Sequence, residues 1–572
     1  MYKVETQNKA ILFISKHIVL FITLLALLAY ALVYINKYSA LPIHSDGEGY
    51  YAYLPSYLIY RDTSMTRVAE REHKQDARLF GMHKISSTGY FLDKYPIGEA
   101  VLLLPFFLLG HSLSLIFGYP ANGYSFFYQH TAGLAGLFYM VFGLFFLKKT
   151  LKRYFSDKIM LVTLFVIVFG TNLFDYGTYD SIFSHAFSFF LFSAFVFLIP
   201  EWYLHPSSYK YSILLGIIGG LIPLVRIPNG LVLLFLPLYG INVTGVKERF
   251  TFFIGNIKHL LVICTVALLV FLPQLFIWKY TTNKWIIMPY VHEGFNFLSP
   301  HIFDVLFSVR KGLFFWSPIL IFSIIGLWYL PKKSSEFFIP LVCFLPLNLY
   351  IISSWGAWWY GGSFGHRGFV ESYALLALPM AAFYDKVLSD KHKLVKYSVM
   401  TLTVFFTALS LLTMVQYWRG EIPYDKTTWA IYTRAIFISN KFNPILPDNA
   451  YKALISFPCK EISTRTNVVH LPVTCKNTSK YVWSKDVSKT LKYTINMSYR
   501  WLSASRKPIS GFDSRIPLPH SLYPGESVTF TLNIPVPYKS GIYFLEFDMV
   551  QENVTWFRHK GSPTSIIEVD VK

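Results

Sequence analysis

Two carboxylates two residues apart open the first polar stretch of the sequence, in His44-Ser-Asp46-Gly-Glu48-Gly-Tyr-Tyr-Ala-Tyr. Such groups can take a proton from an attacking hydroxyl. Asp46 can equally cap a helix beginning near Tyr50. Further on, Asp93-Lys94-Tyr-Pro-Ile-Gly sets a cation and a proline directly before an apolar segment. A lysine there can snorkel to headgroups or hold the phosphate of a lipid lying in the interface. Asp175, Asp180 and His185 form a second group, with His185 about one turn inside an apolar run. An ionisable residue within a span is a functional candidate, with a satisfied core histidine as the alternative. Asp46, Glu48, Asp180 and His185 could also make an oxygen and nitrogen metal site, but no tight ligand spacing specifies one.

A third cluster runs Ser354-Trp-Gly-Ala-Trp-Trp-Tyr360-Gly-Gly-Ser-Phe-Gly-His366-Arg367-Gly-Phe-Val-Glu-Ser. Its glycines leave the backbone pliant, and its Trp and Tyr rings can face a sugar or sit in an interfacial belt. Arg367 beside free amides at a helix start is a ready anion site. Arg226 and the pair Arg310-Lys311 add cations at other span ends.

The elements that must position these residues are membrane helices. Of 572 residues, 53% are hydrophobic and 15% charged, far from a soluble globular balance. The net charge of +20 is spread in short clusters between apolar runs, which is the positive-inside pattern and not a nucleic-acid surface. Basic connectors at Lys148–Arg153, Lys247–Lys258, Lys332-Lys333 and Lys386–Lys396 are expected in the cytoplasm. An uncleaved first span near 11–35 and spans near 131–147, 158–174, 182–202, 211–225, 230–243, 259–279, 313–330, 336–353, 370–386 and 395–418 satisfy all of them, about eleven in all. Gly98–Gly118 is expected not to cross, being interrupted by Pro105, Gly110 and His111; if it crossed, every later basic cluster would invert. This threading predicts a multi-pass inner (plasma) membrane protein with a cytoplasmic N-terminus. It places the three clusters and the polar C-terminal part together on the outer side.

The Asp-x-Glu of the first outer loop, the Lys-Tyr-Pro-Ile-Gly stretch before an interface helix and the acidic second loop resemble the GT-C fold of polyprenyl-phosphate-dependent glycosyltransferases. That family includes the protein mannosyltransferases and the lipid A aminoarabinose transferases. The resemblance covers roughly residues 11–418. It implies that Asp46 is the general base on an acceptor hydroxyl with Glu48 its neighbour, that Lys94 lies near the donor phosphate, and that Asp180 is the second-loop acid. Two departures stand out: a glycine separates the two first-loop acids, and Tyr95 replaces a proline. The stretches Tyr-Gly-Gly-Ser-Phe-Gly-His-Arg and Arg-Lys-Gly-Leu-Phe-Phe-Trp-Ser-Pro are similar to an uncharacterised bacterial branch of the superfamily.

The expectation is therefore an inverting transferase moving sugar from a polyprenyl-phosphate carrier to a glycan, lipid or protein acceptor. A sugar on a lipid phosphate leaves readily once cations neutralise the phosphate, and Lys94, Arg367, Arg226 and Lys311 are the candidates, with His185, His366 and Tyr360 as further site residues. No cofactor is specified, and a divalent metal stays open. The alternative is a transporter or flippase of a lipid-linked saccharide, which calls for midplane charges and repeated broken helices; no internal repeat is visible.

Domains are expected at 1–418 and 455–572, with a linker at 419–454. Runs at Val468–Val473, Lys489–Met497, Ser527–Ile534, Ile542–Val550 and Ser565–Val571, with turns at Pro524-Gly525 and Ser540-Gly541, predict an Ig-like β-sandwich. Trp483, Trp501 and Trp556 are expected to fill its core; a glycan-docking face would need one of them exposed. Cys459 and Cys475, 16 apart in an outer domain, predict a disulfide.

Overall fold

In the computed structural model, the described residues are 9–35, 41–72, 81–241, 245–290, 293–437, 446–459, 461–483, 494–509, 514–537, 539–552 and 554–572. Their long apolar runs fold as helices: α1 (Lys9–Ile35), α2 (Asp46–Leu54), α3 (Gly98–Ile116), α4 (Phe126–Tyr154), α5 (Asp157–Phe169), α6 (Ser184–Leu204), α7 (Tyr209–Val225), α8 (Ile257–Thr282), α9 (Phe338–Ser354), α10 (Tyr373–Leu388) and α11 (Lys393–Trp418). Seven helices among the described residues are long and apolar enough to cross a membrane: α1, α3, α4, α6, α8, α11 and the one ending with α9. Six of these coincide with expected spans, and the seventh is α3. The other expected spans form shorter helices: 158–174 ends as α5 before Gly170, 230–243 is largely taken up by a 3-10 turn at Ile227–Leu234 that opens on Pro228, and Pro318 separates Leu313–Trp316 from Ile321–Gly326.

The interruption expected in α3 does not occur. The helix runs unbroken through Pro105 because it packs on α4. Gly110 lies so close to α4 that an added Cβ would stand 2.6 Å from Thr131 Oγ1, and His111 Nδ1 meets the Tyr128 hydroxyl at 2.5 Å. Tyr139 donates to the Leu102 carbonyl at 2.9 Å, and Ser114 meets Ser125 at 3.2 Å. α3 thus runs antiparallel to the first half of α4 only. The basic end of α4 turns to other partners, Lys152 pairing with Asp157 at 3.0 Å and Arg153 with Glu201.

α6 is apolar all round and central, with most of its side chains buried, whereas α8 is largely exposed and faces outward. Gly136 lets α4 approach the turn before α6: a Cβ there would lie 1.7 Å from the Ser181 carbonyl oxygen.

Contacts divide the chain into two units, one containing residues 41–414 together with Tyr424–Thr428, the other containing 415–423 and 429–572. The second unit carries two sheets. β3 (Ala453–Ser456), β5 (Val468–Asn477) and β8 (Ser527–Pro535) pair in the order β3-β5-β8. β4 (Glu461–Thr464), β6 (Ile495–Leu502), β7 (Ser514–Pro517), β9 (Gly541–Gln551) and β11 (Ser565–Val571) pair in the order β4-β11-β9-β6-β7. Inward residues of both sheets share one core around Trp483, Trp501, Leu471, Leu545 and Ile567. Of the expected strand Lys489–Met497, residues 489–493 lie outside the described residues.

The expected disulfide is absent: Cys459 and Cys475 are free. Alternation along β5 turns Cys475 into the core, where its thiol lies 3.5 Å from Met549 Sδ and burial pushes it up to about 12, while Cys459 follows β3 at the edge.

Candidate functional site

Asp46 does not cap α2. The helix begins at Asp46 itself, Ser45 stands at the cap with φ 52° and no side-chain cap bond, and the Asp46 carboxylate reaches Arg367 Nη1 at 2.7 Å. Burial pushes this carboxyl up, but Arg367, then Lys94 and the Tyr95 hydroxyl, more than offset it and hold it below its ordinary value. Gly47 fixes the approach of α2, since a Cβ there would lie 2.2 Å from Ile182. Glu48 follows two residues later on the same helix, about 200° round the axis, so the two carboxylates point apart.

Lys94 is set by the hairpin of β1 (Met82–Lys84) and β2 (Phe91–Asp93), whose end donates from Lys94 N to the Gly81 carbonyl at 2.9 Å. The next residues are clamped: Tyr53 donates to the Tyr95 carbonyl at 2.6 Å, and Ile97 N donates to Gln274 Oε1 at 2.8 Å. Gly98 is in contact with the end of α7, where a Cβ would stand 2.4 Å from the Leu224 carbonyl. Lys94 Nζ pairs with Glu293 at 3.2 Å and sits 5.2 Å from the Tyr290 ring.

Arg226 closes α7 and donates to Glu371 Oε1 at 2.7 Å; His185 Nδ1 lies 3.2 Å from the other Glu371 oxygen. Tyr360, held at φ 56° between two glycine-rich turns, places its ring 6.0 Å from the Arg226 guanidinium. That conformation is costly for a bulky residue and marks a loop held in place by its surroundings.

These groups meet around one cavity of about 610 Å³. Asp46, Lys94, His185, Arg226, Tyr360 and Arg367 line it, along with Glu293, Tyr290 and Trp359. The rest of the wall is apolar, including Ile227, Ile287, Met288, Phe295, Phe297 and Ile351. Three cations therefore face one space, each already paired with a carboxylate.

Four expected site residues are not among those lining the cavity. Glu48 points away for the reason given. Asp180 is buried behind the site, with its oxygen 3.2 Å from His44 Nε2. His44 Nδ1 in turn lies 2.8 Å from the Pro42 carbonyl, so both ring nitrogens face acceptors. Lys311 is buried and donates to the Tyr424 carbonyl at 2.7 Å and to that of Ser363; burial lowers its ammonium to about 7. It anchors a loop and does not line the cavity. His366 is buried as well, 3.1 Å from the Trp358 carbonyl, and burial pushes it down to about 3. Among the described residues no three His, Cys, Asp or Glu side chains gather to hold a metal ion, so the Asp46, Glu48, Asp180 and His185 set does not assemble.

Glu293, Tyr290 and Glu371 were not singled out from the sequence. Glu371 lies four residues after Arg367, where a reading that starts a span at 370 assigns it to the helix. Trp355 and Trp358 are buried and do not form a belt; Trp359 lines the cavity and is covered by Arg310 at 3.8 Å, which itself pairs with Asp425 at 2.9 Å.

In the second unit Trp483 and Trp501 are fully buried. Trp556 is half-buried, with Arg515 at 4.5 Å and Arg558 at 4.7 Å from its ring.

No protein-family model matches the chain, and no curated protein does. A structural match is found to the Pseudomonas fluorescens alkylpurine DNA glycosylase AlkC bound to DNA containing an abasic site analog, at 10% identity and a TM-score of 0.14, covering 77% of this chain and 99% of that one. A TM-score that low is no shared fold.

Proposed function

We propose that this chain is an integral membrane glycosyltransferase of GT-C type, with about eleven crossings, that moves sugar from a polyprenyl-phosphate carrier to an acceptor hydroxyl at the outer face. On this reading the N-terminus is cytoplasmic, α3 lies in the outer interface, and the C-terminal sheets form an Ig-like sandwich outside the inner membrane. The observation that carries the reading is one carboxylate, Asp46, facing the same cavity as Lys94, Arg226 and Arg367. A lipid-phosphate sugar needs cations on the departing phosphate and a base for the attacking hydroxyl, and here both line one space. In-line attack inverts the anomeric carbon.

The pairing also suggests how the site is kept idle. Arg367 holds Asp46 in its weakly basic state. A donor phosphate that draws the guanidinium to itself frees the carboxylate as it arrives, so the acceptor is deprotonated only after the donor is in place.

The test is sugar transfer from isoprenoid-phosphate donors in membranes. Asp46→Asn is expected to lose about a hundred- to ten-thousand-fold in rate while Glu48→Gln stays near wild type. Full activity in a folded Asp46→Asn protein would sink the catalytic assignment.

A further inference from the structure

The connection from α8 to the short helix Ile302–Phe307 lacks regular structure over residues 283–290 and 293–301, apart from a single bridge between Phe295 and Trp355. A polar connector would be expected in water. Instead Leu298 is 99% exposed, Ile286 81% and Phe303 74%, with Trp285 also exposed. The same stretch turns Ile287, Pro289, Tyr290 and Phe295 inward to line the cavity. Apolar side chains thus stand on both sides, interrupted by Glu293, which pairs with Lys94, and by the exposed Asn296 and Ser299.

These exposed side chains continue two helix faces. Trp285 meets Phe276 at 5.6 Å, extending the exposed stripe of α8 that includes Leu261, Leu268 and Leu269. At the other end Tyr350 on α9 donates to the Phe297 carbonyl at 2.8 Å, and backbone bonds from Asn296 to the Ser354 carbonyl and from His301 to that of Ser353 fasten the stretch to the end of α9. Lys284 and the His301–Asp304 pair, 3.1 Å apart, stand at its two ends. Irregular backbone facing lipid does not occur within the hydrocarbon region, which sets this stretch at the headgroup boundary, where water still reaches its backbone. Exposed apolar side chains that continue the outer faces of membrane-length helices fit acyl chains.

We infer that residues 285–290 and 293–303 are immersed in the bilayer at the headgroup–acyl boundary and form a thin wall between lipid and the cavity, so that an amphiphile reaches the cations sideways from the leaflet. The immersion needs only the membrane helices; the amphiphile's use as a sugar donor rests on the proposed function. Lys284 and His301 then lie among headgroups, and the Leu298 and Ile286 side chains lie among tails.

Benzoylphenylalanine placed at Leu298 and at Ile286 in the full chain, irradiated in native membranes, is expected to give phospholipid adducts by mass spectrometry, with none from the exposed control position Asp448. Adducts to protein only, or no adducts, would overturn the inference and point to a protein partner or to water. As a second readout, Leu298→Asp is expected to reduce transfer from a long-chain isoprenyl phosphate donor by about five-fold while sparing a short water-soluble one, since a carboxylate at this depth is costly. Equal effects on both donors would count against the sideways route. Lipid adducts without transfer from either donor would leave the immersion standing and remove the transferase reading.

Discussion

Both units of the molecule pair arginines with carboxylates, but they use the pairs differently. On the larger sheet of the second unit, Glu546 is shared by Arg500, Arg558 at 3.5 Å and Thr564 at 3.0 Å. β6 and β9 bring these residues together by register, Arg500 lying opposite Glu546. No single partner is indispensable there. Around the cavity, Arg367, Lys94 and Arg226 each have one principal carboxylate, and all three line the same space. A redundant network braces a surface, whereas single pairs beside a cavity can exchange partners with a ligand.

That contrast can be broken at several points. The largest effect is expected at Arg226→Gln, which leaves Glu371, 4% exposed, without its guanidinium; unpairing a buried charge costs about 3–5 kcal/mol. Thermal unfolding in detergent should register the loss. Arg500→Gln in the sheet should cost about 1 kcal/mol or less, because Glu546 keeps Arg558 and Thr564. Equal losses would abolish the distinction between the two regions.

A pH-dependent effect is expected at Lys311. Its folded-state pKa is lowered to about 7 by burial, so between about 7 and its ordinary value near 10.5 the unfolded chain binds the extra proton. Stability from this group therefore rises with pH across that window, and its penalty is fully present below 7. Lys311→Met should flatten the rise in melting temperature between pH 7 and 10; an unchanged slope would contradict the burial argument. Smallest of all, reductant should leave the second unit's melting unchanged, with Cys475 reacting with thiol reagents only after unfolding.

Much of the cavity was legible in the sequence because charge at the end of an apolar run is itself a signal. Asp46, Lys94, Arg226 and Arg367 all stand at such ends, and all four line it. Spacing could not say which of Asp46 and Glu48 faces inward, since that depends on a helix starting at Asp46 and not four residues later. Lys311 looked like its neighbours, but the direction it takes, into the carbonyls of Ser363 and Tyr424, is set by contacts distant in sequence. Glu371 and Glu293 are tertiary partners with no local pattern. In the second unit the alternating runs found the strands, while the disulfide failed because spacing along a chain says nothing of which face a strand presents.

The short stretch Tyr424–Thr428 has a practical consequence for dividing the molecule. Hydropathy suggests a clean cut after Trp418, at the end of α11. Such a cut would remove Tyr424, whose carbonyl takes both Lys311 and the Ser363 amide, and Asp425, which holds Arg310 against Trp359. The shortened chain would keep every membrane-length helix yet leave a buried ammonium short of an acceptor and slacken the loop that carries Tyr360 and Arg367. A membrane part that keeps its site intact must therefore extend at least through residue 428.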